Sequence, residues 1–172
     1  MIVGVPRESY PGERRVALVP AVIPSLTKAG MEVVFETGCG VGAGYPDADY
    51  VAKGAKVLPD RAEVFRVADV IVQVLGYGSD DKKGRADLSL LRQGQALIAF
   101  LRPLGSMDTV QEIAARGVTA FSMELMPRTT RAQSMDVLSS MATIAGGGRD
   151  FGGGEQSSDR AGIWDGGVAG AA

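Results

Sequence analysis

Short apolar runs alternate with helical segments along the first 121 residues, and this alternation limits the chain to few folds. The runs are continuous and mostly β-branched, as in strands that are buried on both faces of a parallel sheet. The sequence therefore predicts an α/β domain with helices on both faces of the sheet. The predicted strands are 2–5, 33–35, 70–75, 96–101 and 118–121, and the predicted helices are 19–29, 47–53, 60–67 and 108–116.

The boundaries of these segments refine the prediction. Asp108 is expected to cap its helix, and Gly117 is expected to end it. The segment 76–84 is polar, so we expect a solvated surface loop there. In parallel α/β sheets the functional loops follow the carboxyl ends of the strands. The loop after 118–121 is therefore the first place to search for a site.

Composition excludes several classes of function. The formal net charge of −2 gives no electrostatic footprint for nucleic acid. The chain has no histidine and a single cysteine, Cys39, which excludes a histidine base, an internal disulfide and a cysteine–histidine metal cluster. Cys39 is expected to be buried and inert, as in a protein of a reducing compartment. No apolar run is long enough to cross a membrane, and the N-terminus does not resemble a secretory signal.

A glycine cluster at 38–44 resembles a dinucleotide-binding fingerprint. Gly38, Gly40 and Ala43 satisfy the loose pattern G-x-G-x-x-A after a predicted strand. A true fingerprint opens directly into a helix, whereas Pro46 and its neighbours delay the helix here. The acidic residue expected at the end of the next strand is also absent from KVLP at 56–59. A structural glycine turn is the favoured interpretation, and nucleotide binding is the alternative.

The polar segment after the last predicted strand differs from the rest of the chain. Arg128 offers a planar fork of donors, Gln133 can both donate to and accept from a carboxamide, and Asp136 can accept from a ribose hydroxyl. These groups suit a nicotinamide or a phosphate. A structural role is equally consistent with the pattern. Thr130 and Gln133 form a capping box, Asp136 favours the helix dipole, and Arg128 and Asp136 could form an exposed ion pair.

The last part of the chain changes character at residue 146. Residues 131–145 have a helical apolar pattern, but residues 146–172 hold 10 of the 24 glycines and no apolar period. Such a segment buries too little apolar surface to offset its ordering entropy. We therefore expect one domain at 1–145 and a flexible or out-of-frame tail at 146–172, with a linker to a further domain as the alternative. The DNA beyond codon 146 decides between them.

The segment 123–140, MELMPRTTRAQSMDVLSS, closely resembles a motif in the NAD-binding subunit of proton-translocating NAD(P) transhydrogenases. The N-terminal motifs GVPRE at 4–8, GERRVALVP at 12–20 and ETGCGVG at 36–42 agree, and alanine dehydrogenases of the same superfamily share them. The resemblance covers roughly 1–146. It implies the Rossmann-like first domain of a two-domain subunit that binds NAD in the cleft between its domains, with the true glycine fingerprint in the second domain.

The resemblance also implies a reaction and its partners. A loop of the first domain reaches the nicotinamide end of NAD, and the matching positions here are Arg128, Gln133 and Asp136, with Ser139 just beyond. Hydride passes directly from NADH to NADP, which a separate component holds, so no side-chain catalytic residue is expected. The implied partners are a second copy of the subunit, the NADP-binding component and proton-translocating membrane subunits, without metal or nucleic acid. The implied location is cytoplasmic, peripheral to the inner (plasma) membrane.

Two alternatives remain open at this point. An alanine dehydrogenase needs a lysine and a histidine for proton transfer, but the matching segments read VQVL at 72–75 and FLR at 100–102. Arg15, which matches the arginine that holds the substrate carboxylate in those enzymes, is present and is assigned to structure or to a general anion contact. The other alternative is a non-catalytic dimerisation domain. In either case we expect this truncated chain to bind NADH weakly or not at all.

Overall fold

Six parallel strands form one sheet in this computed structural model, which describes residues 1–80, 84–127, 129–132, 135 and 137. The order across the sheet is β3-β2-β1-β4-β5-β6, which confirms the predicted α/β fold. The two halves of the chain extend the sheet in opposite directions from β1 and β4, so the switch point lies between these strands. The strands are β1 Ile2–Val5, β2 Glu32–Glu36, β3 Lys56–Leu58, β4 Val70–Leu75, β5 Ala96–Phe100 and β6 Thr119–Ser122.

Helices connect the strands and lie close to their predicted positions. The predicted helix 19–29 is divided, because Pro24 has no N–H to donate to the Pro20 carbonyl. Ile23 N–H donates to Pro20 O instead, which makes a 3₁₀ turn before the α-helix. The helices are α1 Ile23–Lys28, α2 Asp47–Ala52, α3 Arg61–Val67, α4 Gly84–Leu88 and α5 Met107–Ala115, and 3₁₀ turns occupy Pro20–Val22, Val41–Ala43 and Met123–Leu125.

The core divides into two clusters on opposite faces of the sheet. One contains Phe35, Tyr50 and Val74, and the other contains Phe65 and Leu97. Val70 and Val72 of β4 pack in the first cluster and Ile71, between them, packs in the second, since side chains of consecutive strand residues point to opposite faces. The sheet is therefore covered on both faces near its centre. No helix in the described part of the chain is long and apolar enough to cross a membrane.

Two sequence expectations are wrong in detail. Ser106, not Asp108, occupies the N-cap position of α5, and Asp108 lies in the first turn. The segment 76–80 is not a solvated loop: Gly76, Tyr77, Gly78 and Asp80 are buried. The buried Asp80 carboxylate accepts a hydrogen bond of 2.8 Å from Ser9 Oγ, which draws the loop against the end of β1. Most of the predicted helix 131–145 and all of 146–172 lie outside the described residues.

Candidate functional site

A cleft of about 730 Å³ lies beyond the carboxyl ends of β4 and β5, at the edge where the topology predicts function. We call it the strand-end cleft. Loops that follow β1, β4, β5 and β6 all contribute to it. Its lining residues are Tyr10, Arg15, Leu75, Ser79, Phe100, Arg102, Pro103, Leu104, Gly105, Glu124 and Leu125.

Glu8 closes the switch point between β1 and β4. The backbone pairing of these strands extends only to Gly4 and Ile71, so the end of β4 has no strand on the β1 side. The Glu8 carboxylate takes that place and accepts hydrogen bonds from Val74 N at 2.7 Å and Leu75 N at 3.0 Å. Consecutive amides normally point in opposite directions along a strand. The register of β4 shifts in this stretch, and this irregularity turns both amides toward one carboxylate.

Glu124 likewise accepts hydrogen bonds from two consecutive backbone amides, directly after the end of β5. Its carboxylate accepts from Leu101 N at 3.0 Å, from Arg102 N, and from Ser122 Oγ at 2.6 Å. Arg102 has a φ of 50°, in the left-handed region that is uncommon for a side chain with a Cβ. The carboxylate therefore holds Arg102 in the conformation in which the residue lines the strand-end cleft.

Arg61 ties the switch point to the helices beside it. Its guanidinium binds Asp87 through two hydrogen bonds, of 2.6 Å and 2.5 Å, and binds Glu36 at 3.0 Å. It also donates to the Arg7 carbonyl at 2.6 Å, and Gln73 Nε2 donates to the same Asp87 carboxylate at 3.2 Å. A bidentate pair of this kind sets the relative orientation of the guanidinium and the carboxylate, in addition to the attraction between their charges. The loop that carries Glu8 is thus anchored to α3 and α4.

The ionisation of Glu8 is perturbed. Burial raises the pKa of its carboxyl from 4.5 to about 7, the two backbone N–H bonds oppose this rise, and nearby Glu13 adds to it. The folded state therefore holds the proton more tightly than the unfolded state does. Stability from this group is present at low pH and is lost as the pH rises from about 4.5 to about 7.

We expect Glu8→Gln to remove this pH dependence. The glutamine cannot ionise, and its amide oxygen still accepts one of the two N–H bonds. Between pH 5 and pH 8 the wild-type chain should lose roughly 1 to 3 kcal/mol of unfolding free energy that the variant does not lose. Urea unfolding at several pH values measures the difference. Glu63→Gln, on the outer side of α3, is the control and should keep the wild-type profile. A Glu8→Gln profile parallel to wild type would contradict the assignment.

Arg15 lines the strand-end cleft, but Glu13 engages its guanidinium. Nε donates to Glu13 Oε1 at 2.8 Å and Nη2 donates to Oε2 at 2.5 Å. Leu75 and Phe100 face the same cleft, and no lysine is among its lining residues. The cleft therefore offers two guanidinium groups, a phenol, one hydroxyl and the Glu124 carboxylate, which already accepts hydrogen bonds from Leu101 N, Arg102 N and Ser122 Oγ. Within the described residues no group of three or more acidic or cysteine side chains is placed to hold a metal.

The glycine cluster at 38–44 has a structural explanation. Asp47, the first residue of α2, accepts from Gly38 N at 2.9 Å and from Thr37 Oγ1 at 2.6 Å, which closes the turn. A Cβ on Gly40 would lie 2.6 Å from the Tyr50 ring. The amides and carboxylate of the turn are thus used internally. Cys39 within it is buried, as expected, and burial raises the pKa of its thiol to about 12.

The four residues predicted to contact a cofactor, Arg128, Gln133, Asp136 and Ser139, all lie outside the described residues. Their described neighbours locate the segment. Pro127 follows β6 and its 3₁₀ turn, and Thr129 N donates to the Pro127 carbonyl at 2.9 Å. Ala132 and Val137 are buried, and Val137 packs in the same core cluster as Val74. The segment thus begins at the carboxyl edge of the sheet, as the topology predicts.

Comparison with known proteins gives a consistent result. Residues 4–145 match the family model "Alanine dehydrogenase/PNT, N-terminal domain". The chain is 43% identical to NAD(P) transhydrogenase subunit alpha of Cereibacter sphaeroides over 85% of this chain and 27% of that protein. Alanine dehydrogenase of Methanococcus maripaludis is 31% identical over 85% of this chain and 37% of that protein.

A solved structure agrees with the sequence matches. The transhydrogenase from Sinorhizobium meliloti superposes with a TM-score of 0.76 and 41% identity, over 85% of this chain and 42% of that one. The chain spans less than half the length of each of these relatives. Because the family model covers most of the chain and the sheet superposes on that of a relative, the chain belongs to the alanine dehydrogenase/PNT family and corresponds to its N-terminal domain.

Proposed function

We propose that the chain is the N-terminal part of the NAD(H)-binding component of a proton-translocating transhydrogenase, which transfers hydride from NADH to NADP. The observation that carries the proposal is the lining of the strand-end cleft. Leu75, Phe100 and Arg102 occupy the segments where the alanine dehydrogenase resemblance calls for a lysine and a histidine. Reduction of an imine needs proton transfer, whereas hydride transfer between two nicotinamides does not. The higher identity to transhydrogenases supports the same choice.

Three places at the carboxyl edge of the sheet are candidates for the cofactor, and two of them are occupied by side chains of the described residues. The switch point, where a doubly wound sheet binds a dinucleotide pyrophosphate, is closed by Glu8, and the glycine turn is closed by Asp47. The strand-end cleft is not filled in this way, and Glu124 and Leu125, which line it, shortly precede Arg128, Gln133, Asp136 and Ser139 in the sequence. We propose that these four residues hold the nicotinamide end, while a second domain holds the rest of the cofactor.

The assembly is proposed on the same basis. A second copy of the chain, an NADP-binding component and membrane subunits would complete the enzyme, at the cytoplasmic side of the inner (plasma) membrane. Residues 1–145 would form the domain, and 146–172 would not contribute to it. The 172-residue chain alone should therefore bind NADH with a Kd well above the micromolar range and have no transhydrogenase activity.

A chimera tests the proposed function. Residues 1–145 replace the matching domain of the Cereibacter sphaeroides subunit, and transhydrogenation and alanine oxidation are both measured. We expect transhydrogenation without alanine oxidation. Arg128→Ala and Asp136→Ala should each reduce the rate about 10-fold or more, since a lost charge-assisted hydrogen bond costs about 1.5 to 3 kcal/mol. Arg116→Ala, at the exposed end of α5, is the matched control and should retain the rate. Alanine oxidation by the chimera would support the alternative enzyme instead.

A further inference from the structure

Arg102 combines a fixed backbone with a guanidinium that has no partner. Its amide donates to the Glu124 carboxylate, and its carbonyl accepts from Gly105 N at 3.0 Å. These two contacts hold a φ of 50°, a conformation that is strained for a residue with a Cβ. The guanidinium forms no ion pair or hydrogen bond with any described residue. Arg102 therefore presents an unpaired cation at the strand-end cleft.

Ser79 supplies a second unpaired polar group to the same cleft. Its Oγ is shielded from solvent and has no hydrogen-bond partner among the described residues. Buried hydroxyls in native proteins are nearly always paired, because an unpaired one has given up its bonds to water without replacement. A rotation about the Cα–Cβ bond of Ser79 would turn the hydroxyl toward the cleft without breaking any hydrogen bond. The cleft thus contains two groups that a ligand could satisfy.

The two groups lie on adjacent loops. Gly78, which precedes Ser79, approaches Leu101, which precedes Arg102, so closely that an added Cβ would lie 2.2 Å from the Leu101 carbonyl oxygen. Ser106 Oγ, at the far end of the loop after β5, donates to the Gly78 carbonyl at 3.5 Å. The loop after β4 is therefore packed against the loop that carries the unpaired guanidinium.

Most of the remaining lining is apolar. Leu75 and Phe100 end their strands at the cleft, and Pro103, Leu104 and Leu125 line it from the loops after β5 and β6. Leu104 and Leu125 are 87% and 51% exposed, so the cleft has apolar surface that the fold itself does not cover. Small-molecule sites typically combine an apolar lining with a few convergent polar groups. This lining is suited to an uncharged, flat ligand body.

We propose that the strand-end cleft binds a small aromatic carboxylate, whose anionic group contacts Arg102 and Ser79 while its ring packs on the apolar lining. A guanidinium can offer a carboxylate two parallel N–H bonds, and the Ser79 hydroxyl adds a third donor. Arg15 is not required, because Glu13 engages its guanidinium. The Glu124 carboxylate accepts from backbone amides and from Ser122 Oγ, which leaves the Arg102 side chain to the ligand.

A chemical-shift titration of the full 172-residue chain tests the binding. Nicotinate and nicotinamide are the main probes, because they have nearly the same shape and differ in charge. Nicotinate should bind with a Kd of about 1 mM, as expected for so small a ligand, and should shift the amides of Ser79 and Gly105. Nicotinamide, which lacks the charge, and acetate, which lacks the ring, should each bind about 10-fold more weakly or worse. Equal affinity for either one, or no binding of nicotinate, overturns the proposal.

Three variants assign the contacts. Arg102→Gln should weaken nicotinate binding about 10-fold or more, and it retains a Cβ at the strained position. Ser79→Ala should weaken binding about 5-fold without loss of stability in urea unfolding, because the hydroxyl has no hydrogen bond to lose. Arg116→Gln, at the exposed end of α5, is the matched control and should bind as the wild type does. Unchanged nicotinate affinity in Arg102→Gln would contradict the assignment.

This inference goes beyond the proposed function and does not rest on it. It uses none of the four residues proposed to hold the nicotinamide end of NADH, and its probes need no second domain. The chimera assay measures hydride transfer, whereas the titration measures binding of an organic anion to this chain alone. Failure of one experiment is therefore distinguishable from failure of the other.

Discussion

Arg61→Leu should lower the free energy of unfolding by about 3 to 5 kcal/mol, the usual loss when one partner of a buried ion pair is removed. The side chains of Asp87 and Glu36 are only 6% and 12% exposed. Without the guanidinium, two carboxylates would remain close together with little solvent and no cation between them. The Arg7 carbonyl would lose its donor as well.

Arg66→Leu is the matched control. Arg66 lies on the same helix, α3, but its side chain is 71% exposed and pairs with Glu63 at 3.3 Å on the surface. Such pairs contribute between 0 and about 1 kcal/mol. Urea unfolding at neutral pH should therefore separate the two variants by at least about 2 kcal/mol. Equal losses of unfolding free energy in Arg61→Leu and Arg66→Leu would show that any substitution on α3 has this effect and that the ion pairs of Arg61 are not the cause.

Gly78→Ala should be comparably destabilising, by about 3 kcal/mol or more. Gly78 has a φ of 110°, which L residues rarely adopt, and a Cβ there would lie 2.2 Å from the Leu101 carbonyl oxygen. Backbone must move to relieve that overlap. The movement would separate the loop after β4 from the end of β5, which together form one side of the strand-end cleft.

Gly54→Ala distinguishes the two contributions to this effect. Gly54 has a similar φ of 96°, but no atom lies within 4 Å of its added Cβ. Gly54→Ala should therefore lower the free energy of unfolding only by the cost of a positive φ in alanine, about 1 to 2 kcal/mol. Thermal unfolding of both variants measures the difference. If Gly78→Ala costs no more than Gly54→Ala, the contact with Leu101 is not the cause.

The local pattern of apolar residues was sufficient to predict most of the strands and helices. The strand at 70–75 was predicted with its observed limits, because a six-residue run with four β-branched residues, VIVQVL, favours a buried strand. The parallel arrangement followed from continuous rather than alternating apolar runs. Helix α4 was not among the predicted elements, and β3 was considered only as the strand expected after the glycine cluster. Each is short, and β3 contains one charged residue and only two apolar ones.

Long-range polar contacts could not be predicted from the sequence. Arg61 and Asp87 are 26 residues apart, and Glu8 reaches amides 66 and 67 residues away. No periodicity encodes such pairs. A carboxylate that follows a buried strand within three residues, as Glu8 follows β1, was the available signal, since orphan amides collect at strand ends. The assignment of Arg128, Gln133, Asp136 and Ser139 came from resemblance and stays a prediction.

Glu8 makes the switch point of this sheet poorly suited to bind the phosphates of a nucleotide. A phosphate group arriving at the switch point would compete with a carboxylate tethered to β1 and hence present at a high effective concentration. Loss of that carboxylate would leave two amides without an acceptor, at a cost of about 1 to 3 kcal/mol for each buried group. We therefore expect this sheet by itself to bind a dinucleotide pyrophosphate poorly at its switch point.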